Sequence, residues 1–251
     1  ANFDLSKRKS SEAAMKLILS SAFSSGILLL GISFIYGTTG TLSFSILPAF
    51  INGNPLQLFA FILLIAGFAF KISAVPFHLW TADVYEGSPV VVTSFLSVIS
   101  KAAVLFTLVN ILYKVFTPLA NTWYLILVLL AAATILIGNL FAIRQDNFKR
   151  FLAFSSIAQV GFILIGISGS SQAGSASLIY FVLIYIFSNL AAFGVVSVVS
   201  ALTGKENISD FKGFYKTNPM LSWVLTIALF SLAGVPPTAG FFGKLFLMMA
   251  G

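Results

Sequence analysis

The sequence predicts an all-α, polytopic membrane protein with about seven transmembrane helices, two of them discontinuous. Of its 251 residues, 59% are hydrophobic and only 8% charged, with a mean hydropathy of +1.02. A soluble domain carries about 25% charged residues. The apolar residues gather in runs near the roughly 20 residues that a helix needs to cross a bilayer. A third observation, the distribution of loop cations, is independent of hydropathy and is taken up below. A bilayer core offers no water to exposed backbone groups, so continuous apolar runs read as helices rather than as the alternating strands of a barrel.

In chain order the expected spans are Ala13–Tyr36, Leu56–Trp80, Pro89–Tyr113, Thr122–Ile143, Phe151–Ser168, Ser177–Leu202 and Met220–Met249. Turn chemistry separates them: GTTG at Gly37–Gly40, NGNP at Asn52–Pro55, EGSP at Glu86–Pro89 and SGSSQAGS from Ser168. The whole chain, 1–251, reads as a single transmembrane domain. It has a polar tail (1–11), a first part (12–114) and a second part (120–251). If the helices alternate, one side collects Lys7, Arg8, Lys9, Arg144, Lys149, Arg150, Lys205, Lys212 and Lys216; the other collects only Lys114. That asymmetry is what the positive-inside rule demands, and it places the N-terminus inside.

Two spans contain breakers. The second runs FKISAVPFHLW through Pro76, and the seventh runs AGVPPTAGFFGK through Pro236, Pro237 and Gly240. Proline removes a backbone hydrogen bond and interrupts a helix. Two interrupted membrane helices in corresponding halves of a chain, each with a nearby lysine, resemble the inverted-repeat design of transporters.

Composition excludes several chemistries. There is no cysteine and one histidine, His78, so disulfides, cysteine-ligated iron–sulfur clusters, structural zinc and HExxH catalysis are out. No GxGxxG or P-loop pattern is present. No cofactor is expected in this chain, and any redox chemistry belongs to another polypeptide. The net charge of +7 does not imply nucleic acid, because the basic residues lie in short loops between apolar runs. The polar start, ANFDLSKRKSSEAAMK, lacks an initiator methionine and a signal-like core, and the chain stops in the apolar GKLFLMMAG. Both ends are expected to be cut or processed.

The candidate functional residues are the lysines that interrupt apolar sequence. Lys71 follows a charge-free run from Leu17 to Phe70, Lys101 is flanked by VVTSFLSVIS and AAVLFTLVNILY, and Lys244 follows a charge-free run from Thr217. A lysine at mid-helix costs about 2.5–3.5 kcal/mol on insertion scales. Snorkelling to the interface is difficult from mid-span, so the ammonium groups must face protein or water. Desolvation disfavours the charged form of a buried lysine, which suits proton exchange. Glu12 and Lys16, spaced i, i+4, could serve proton uptake or stand as a surface pair. His78 could relay a proton or cap a helix. Asp83 and Glu86 read as solvated loop carboxylates. Ser155, Ser156 and Gln159 on one span, and Tyr180, Tyr185, Ser188 and Asn189 on the next, could hold a water file or glue helices together.

Three blocks carry a family resemblance: GFAFKISAVPFHLWTADVYEGSPVVVTSFLSVISKAAVL, IRQDNFKRFLAFSSIAQVGF and SLAGVPPTAGFFGKLF. They resemble the subunit 2 (bacterial subunit N) family of NADH:ubiquinone oxidoreductase, respiratory complex I. The resemblance runs from about Lys7 to the end, and the PFHLW…DVYEGSP block is highly specific to it. It implies a partial antiporter-like inverted-repeat fold. It also implies a proton-translocating membrane-arm subunit of the enzyme, with FMN, iron–sulfur clusters and ubiquinone in other subunits. By motif match it places Lys71 at the first broken helix, Lys101 in the helix after it and Lys244 at the second broken helix. Glu12 and Lys16 match the charged pair that begins the family's sixth helix.

The chain resembles only the sixth through part of the twelfth of about fourteen family helices. A fragment or a split subunit is therefore expected. A separate chain would supply the missing helices and a glutamate facing Lys71, packing against Ser20, Ser21, Ala22, Ser24, Ser25 and Gly26. Gln159 stands where many relatives carry histidine. The expected partners are other membrane-arm subunits and lipid, with no nucleic acid. The expected location is the mitochondrial inner membrane with a matrix-side N-terminus, the alternative being a bacterial plasma membrane. Two further functions fit the same pattern: an Mrp-type cation/proton antiporter subunit, or a non-conducting spacer of the membrane arm.

Overall fold

A computed structural model describes residues 8–169 and 172–250; residues 1–7 of the tail, with Lys7, and Ser170 and Ser171 of the SGSSQAGS connection lie outside the described residues. Helix α1 (Arg8–Thr39) is followed by α2 (Pro55–Ile72), α3 (Leu79–Gly87) and α4 (Val90–Phe95). A π-helical segment, Leu96–Ser100, leads from α4 into α5 (Lys101–Lys114). Then come α6 (Ala120–Ala142), α7 (Phe148–Ser168), α8 (Gln172–Thr203), α9 (Phe214–Thr217), α10 (Pro219–Ala233) and α11 (Ala239–Ala250). Among the described residues, six helices are long and apolar enough to span a bilayer, and α10 and α11 are shorter apolar helices. With α10 and α11 read as one broken span, this is the seven-span reading. Part of the expected polar tail is helical, because α1 begins at Arg8.

The starts of these helices are written in the sequence. Asn54, Asn147 and Asn218 precede α2, α7 and α10, and each side-chain oxygen accepts a hydrogen bond from a backbone N–H of the first turn (Gln57, Arg150 and Leu221). Such caps satisfy donors that the helix itself cannot. Pro55 and Pro219 occupy first helical positions, where the missing N–H costs nothing.

Helix α7 forms the centre: 78% of its most apolar window is buried inside the protein, against 17% for α1. Close approach of α6 to α7 rests on glycine. A Cβ on Gly138 would lie 2.7 Å from the Ala158 nitrogen, and one on Gly161 would lie 2.9 Å from the Ala131 carbonyl oxygen.

The connections expected on one side of the membrane meet one another. Lys9 of α1 pairs with Glu86 of α3, and Arg150 of α7 pairs with Asp83 and Glu86. The α6–α7 turn bridges the α8–α9 connection through Asn147 and Asn207, with the Phe148 N–H donating to the Glu206 carbonyl and the Ile208 N–H to the Asp146 carbonyl.

Both breaks share one backbone pattern at a constant offset along the chain. α2 ends in Ser73 and α10 in Gly234, both left-handed, with φ of 65° and 79°. The Ala74 N–H donates to the Ala69 carbonyl and the Val235 N–H to the Phe230 carbonyl; Phe77 then bonds Ala74 as Thr238 bonds Val235. Both Val75–Pro76 and Pro236–Pro237 are cis. The lysines do not share the offset. Lys71 lies in the last turn before its break, and Lys244 lies in the helix after its break. The two are therefore not equivalent positions of a repeat, although proximity to a proline break groups them in the sequence.

Candidate functional site

Lys101 is 1% exposed. It opens α5 directly after the π-helical segment, and such wide turns are frequent at functional sites. Its ammonium donates to the Ser156 hydroxyl of α7 at 2.9 Å and lies 5.7 Å from the centre of the Tyr85 ring of α3. The Ser156 hydroxyl in turn donates a hydrogen bond to the Ala153 carbonyl. One turn before Lys101, the Ser97 carbonyl accepts from the Tyr185 hydroxyl of α8 at 2.6 Å.

Helix α7 also leads to the second break. Gln159, one turn beyond Ser156, donates from Nε2 to the Leu232 carbonyl at 2.8 Å. Lys244 donates to that carbonyl at 2.7 Å and to the Ala233 carbonyl at 3.1 Å. Its ammonium also lies 4.6 Å from the Phe162 ring centre, a further turn along α7. Lys244 thus caps the C-terminus of α10, the end of a helix that favours a cation. The halves sit close because Gly240 has no side chain: a Cβ there would run into the Ser231 backbone carbonyl. Ser156, Gln159 and Phe162, at i, i+3 and i+6, therefore form a row that winds about 120° around α7 from Lys101 to Lys244.

Lys71 points the other way, to α1, and donates to the Ser21 and Ser25 hydroxyls at 2.9 and 3.1 Å. No ion pair of Lys71 exists among the described residues. Of the small residues expected to receive a helix from outside, Ser21 and Ser25 turn inward to Lys71, and Ser24 is buried and donates to the Gly67 carbonyl. Ala22 and Gly26 remain on the outer face.

Asp83 and Glu86 are not solvated loop carboxylates. They lie on α3, with side chains 31% and 19% exposed, inside a network of ion pairs. Asp83 accepts from Lys16 at 2.6 Å and from Arg150 at 2.7 Å; Glu86 accepts from Lys9 at 2.8 Å and from Arg150 at 3.0 Å. Glu12 pairs with Lys16 at 2.6 Å and joins the network at its edge. Burial pushes both α3 carboxyls up, but the hydrogen bonds and charges of Lys16 and Arg150 around Asp83, and of Lys9 and Arg150 around Glu86, hold them below the usual range.

A second line runs along α3. Thr81 and Tyr85 lie on one face of α3, and His78 and Ser88, the residues that flank the helix, continue the same spacing. All four are buried, and His78 Nδ1, Thr81 Oγ1, Tyr85 Oη and Ser88 Oγ lack a well-formed hydrogen bond among the described residues. Ser88 also lines a polar cavity of about 630 Å³ at the charged end, with Glu86, Lys149 and Glu206. Native structures rarely leave buried polar atoms unpaired, and ordered water is the usual partner. The other candidates are less central. Tyr180 packs edge-on against Phe246, Ser188 donates to or accepts from Ser231 at 2.8 Å, and Asn189 bonds its own helix at Tyr185. Ser155 is half-buried.

A family profile described as "NADH:quinone oxidoreductase/Mrp antiporter, TM" matches residues 1–251. The chain belongs to this family. It is 55% identical over 249 residues to NADH-quinone oxidoreductase subunit N of Phocaeicola vulgatus, covering 99% of this chain and 53% of that protein. It is 46% identical over 249 residues to NAD(P)H-quinone oxidoreductase subunit 2 of a Picosynechococcus species, covering 97% and 47%. The chain spans about half the length of the curated relatives it matches. Among solved structures it resembles a chain of respiratory complex I from Thermus thermophilus, with TM-score 0.81 at 33% identity, covering 97% of this chain and 53% of that one. It also resembles a chain of the Mrp complex from Dietzia, with TM-score 0.89 at 27% identity, covering 97% and 45%. These relatives are bacterial and so support the bacterial plasma membrane; nothing among them supports the mitochondrial inner membrane.

Sequence reasoning singles out Lys71, Lys101, Lys244 and Ser156 but not Arg150, Lys149 or the inner face of α3. Lys149 is 4% exposed and pairs with Glu206 at 3.0 Å. In the sequence both cations belong to the basic cluster between apolar runs, which hides their burial. The α3 face could have been found, because 78, 81, 85 and 88 follow a helical period within the PFHLW…EGSP block.

Proposed function

We propose that the chain is part of a proton-translocating membrane-arm subunit of a bacterial NADH-quinone oxidoreductase, with its N-terminus on the cytoplasmic side. Protons pass between Lys101 and Lys244 along α7, through hydroxyl, amide and water partners, while redox chemistry at flavin, iron–sulfur clusters and quinone stays in other subunits. The observation that carries this reading is the α7 line. Ser156 binds the buried Lys101 ammonium, and Gln159 shares the Leu232 carbonyl with the half-buried Lys244. Gln159 cannot titrate, so it orients the carbonyl and water rather than carrying a proton. The unpaired polar atoms of α3 supply sites for water that reaches Lys101 from the charged end. Lys71, bonded to neutral hydroxyls, is matched by a carboxylate from another polypeptide of the complex.

The test uses the assembled complex in sealed vesicles, with NADH oxidation and proton uptake measured together. Lys101→Ala and Lys244→Ala should each impair pumping in complexes that still assemble. Lys→Arg should rescue poorly, because a guanidinium keeps its proton. An assembled Lys101→Ala complex that pumps normally refutes the pathway. The high structural similarity to an Mrp chain favours a second reading, cation/proton antiport; sodium-driven proton movement in the same vesicles without NADH would establish it.

A further inference from the structure

Helix α3 is nine residues long and separated from α2 by the break, so its own helix does not fix its rotation. Its rotation matters because Tyr85 places its ring under Lys101. Arg150 of α7 binds α3 at two positions a turn apart: Nη1 donates to Asp83 Oδ1 at 2.7 Å and to Glu86 Oε2 at 3.0 Å. Residues at i and i+3 point about 60° apart around a helix, so holding both fixes rotation as well as distance, which one contact would not. The remaining oxygens are taken from α1: Lys16 binds Asp83 Oδ2 and Lys9 binds Glu86 Oε1.

We propose that Arg150 is a positioning residue that locks α3 against α7, and so sets the cradle in which Tyr85 and Ser156 hold the Lys101 ammonium. The same two helices that Arg150 ties supply both contacts of Lys101, Tyr85 from α3 and Ser156 from α7, the latter six residues beyond Arg150. The groups facing Arg150 are Asp83 and Glu86 of α3, with Lys9, Glu12 and Lys16 of α1 behind them. The groups facing Lys101 are Tyr85 and Ser156, with Tyr185 of α8 one turn away. The Asp83 and Glu86 carboxyls lie below their ordinary range, so both are charged partners for Arg150 at neutral pH. Lysine is a poor substitute for arginine here, because a compact, strongly hydrated ammonium on a flexible stem replaces a planar guanidinium.

This inference rests on the proposed role of Lys101, and the experiment separates the two. Arg150→Gln, Arg150→Lys and Lys101→Ala are compared in the assembled complex, reading proton pumping per NADH oxidised from pH 6 to 9. Arg150→Gln should lower pumping roughly tenfold, within the hundredfold that a 1 Å misplacement can cost, and should move the pH at which pumping is half-maximal. Arg150→Lys should recover part of the rate and leave part of the pH shift. Pumping that is unchanged, or lowered with an unmoved pH profile, overturns the positioning role. If Arg150→Gln fails to assemble, Arg150→Lys decides by the same profile. If Lys101→Ala pumps normally, the pathway reading fails; if it does not pump while both Arg150 variants match wild type in rate and profile, only this inference falls.

Discussion

Replacing Lys101 by methionine keeps the length of the side chain and removes its charge, and the structure makes the energetic outcome calculable. The burial of a cation at mid-helix, about 2.5–3.5 kcal/mol on insertion scales, is relieved. Against this stands the loss of one hydrogen bond from a charged group, about 1.5–3 kcal/mol, and of the contact with the Tyr85 ring, about 0.5–1 kcal/mol. Ser156 is not orphaned, because its hydroxyl already donates to the Ala153 carbonyl. The balance lies within about 1.5 kcal/mol of zero, whereas truncating an ordinary buried side chain of similar size to alanine costs about 2–5 kcal/mol. Lys101→Met is therefore expected to abolish pumping while leaving the unfolding midpoint of the purified complex in detergent close to wild type, with Leu105→Ala as the destabilised control on the same helix. A fall in midpoint as large as the control's would mean that Lys101 is held for structure, and the reasoning from its burial would be wrong.

Gly240→Val should prevent assembly, because a Cβ meets the Ser231 backbone; the level of intact complex on a native gel checks it. Asp83→Asn should lower thermal stability at pH 7 and cost progressively less as pH falls through the folded carboxyl's lowered range, since a depressed carboxyl contributes stability above its unfolded pKa and loses it on acidification. A difference that persists undiminished in acid would assign the effect to packing. Cysteines at the exposed positions Ser45 and Ser209 should label from opposite sides of the membrane; labelling of both from one side contradicts the alternating spans.

Much of the fold is legible because a bilayer imposes length and polarity at once: Asn–Pro at 54–55 and 218–219 marks helix starts, and proline-rich segments mark both breaks. The clustering of Lys101, Ser156, Gln159 and Lys244 needs tertiary information, since only packing shows that α7 faces both lysines. The charged end hides its fold for a similar reason. Asp83 and Glu86 follow Trp80, where polar sequence suggests solvent, but α3 continues through them and delivers them to Arg150. The inward turn of Ser21 and Ser25 was hidden because a serine is equally at home under a lysine and against another helix.

The matching breaks with mismatched lysines imply that the two halves of the molecule respond differently to mechanical displacement. Lys244 sits after its break yet bonds the carbonyls before it, so any sliding of α11 on α10 must stretch or shed those bonds and disturb the carbonyl shared with Gln159. Lys71 belongs to the segment before its break and, among the described residues, hydrogen-bonds only α1, so displacement of α3 does not pull on it. One hinge is wired to its charge, and the other is free of it.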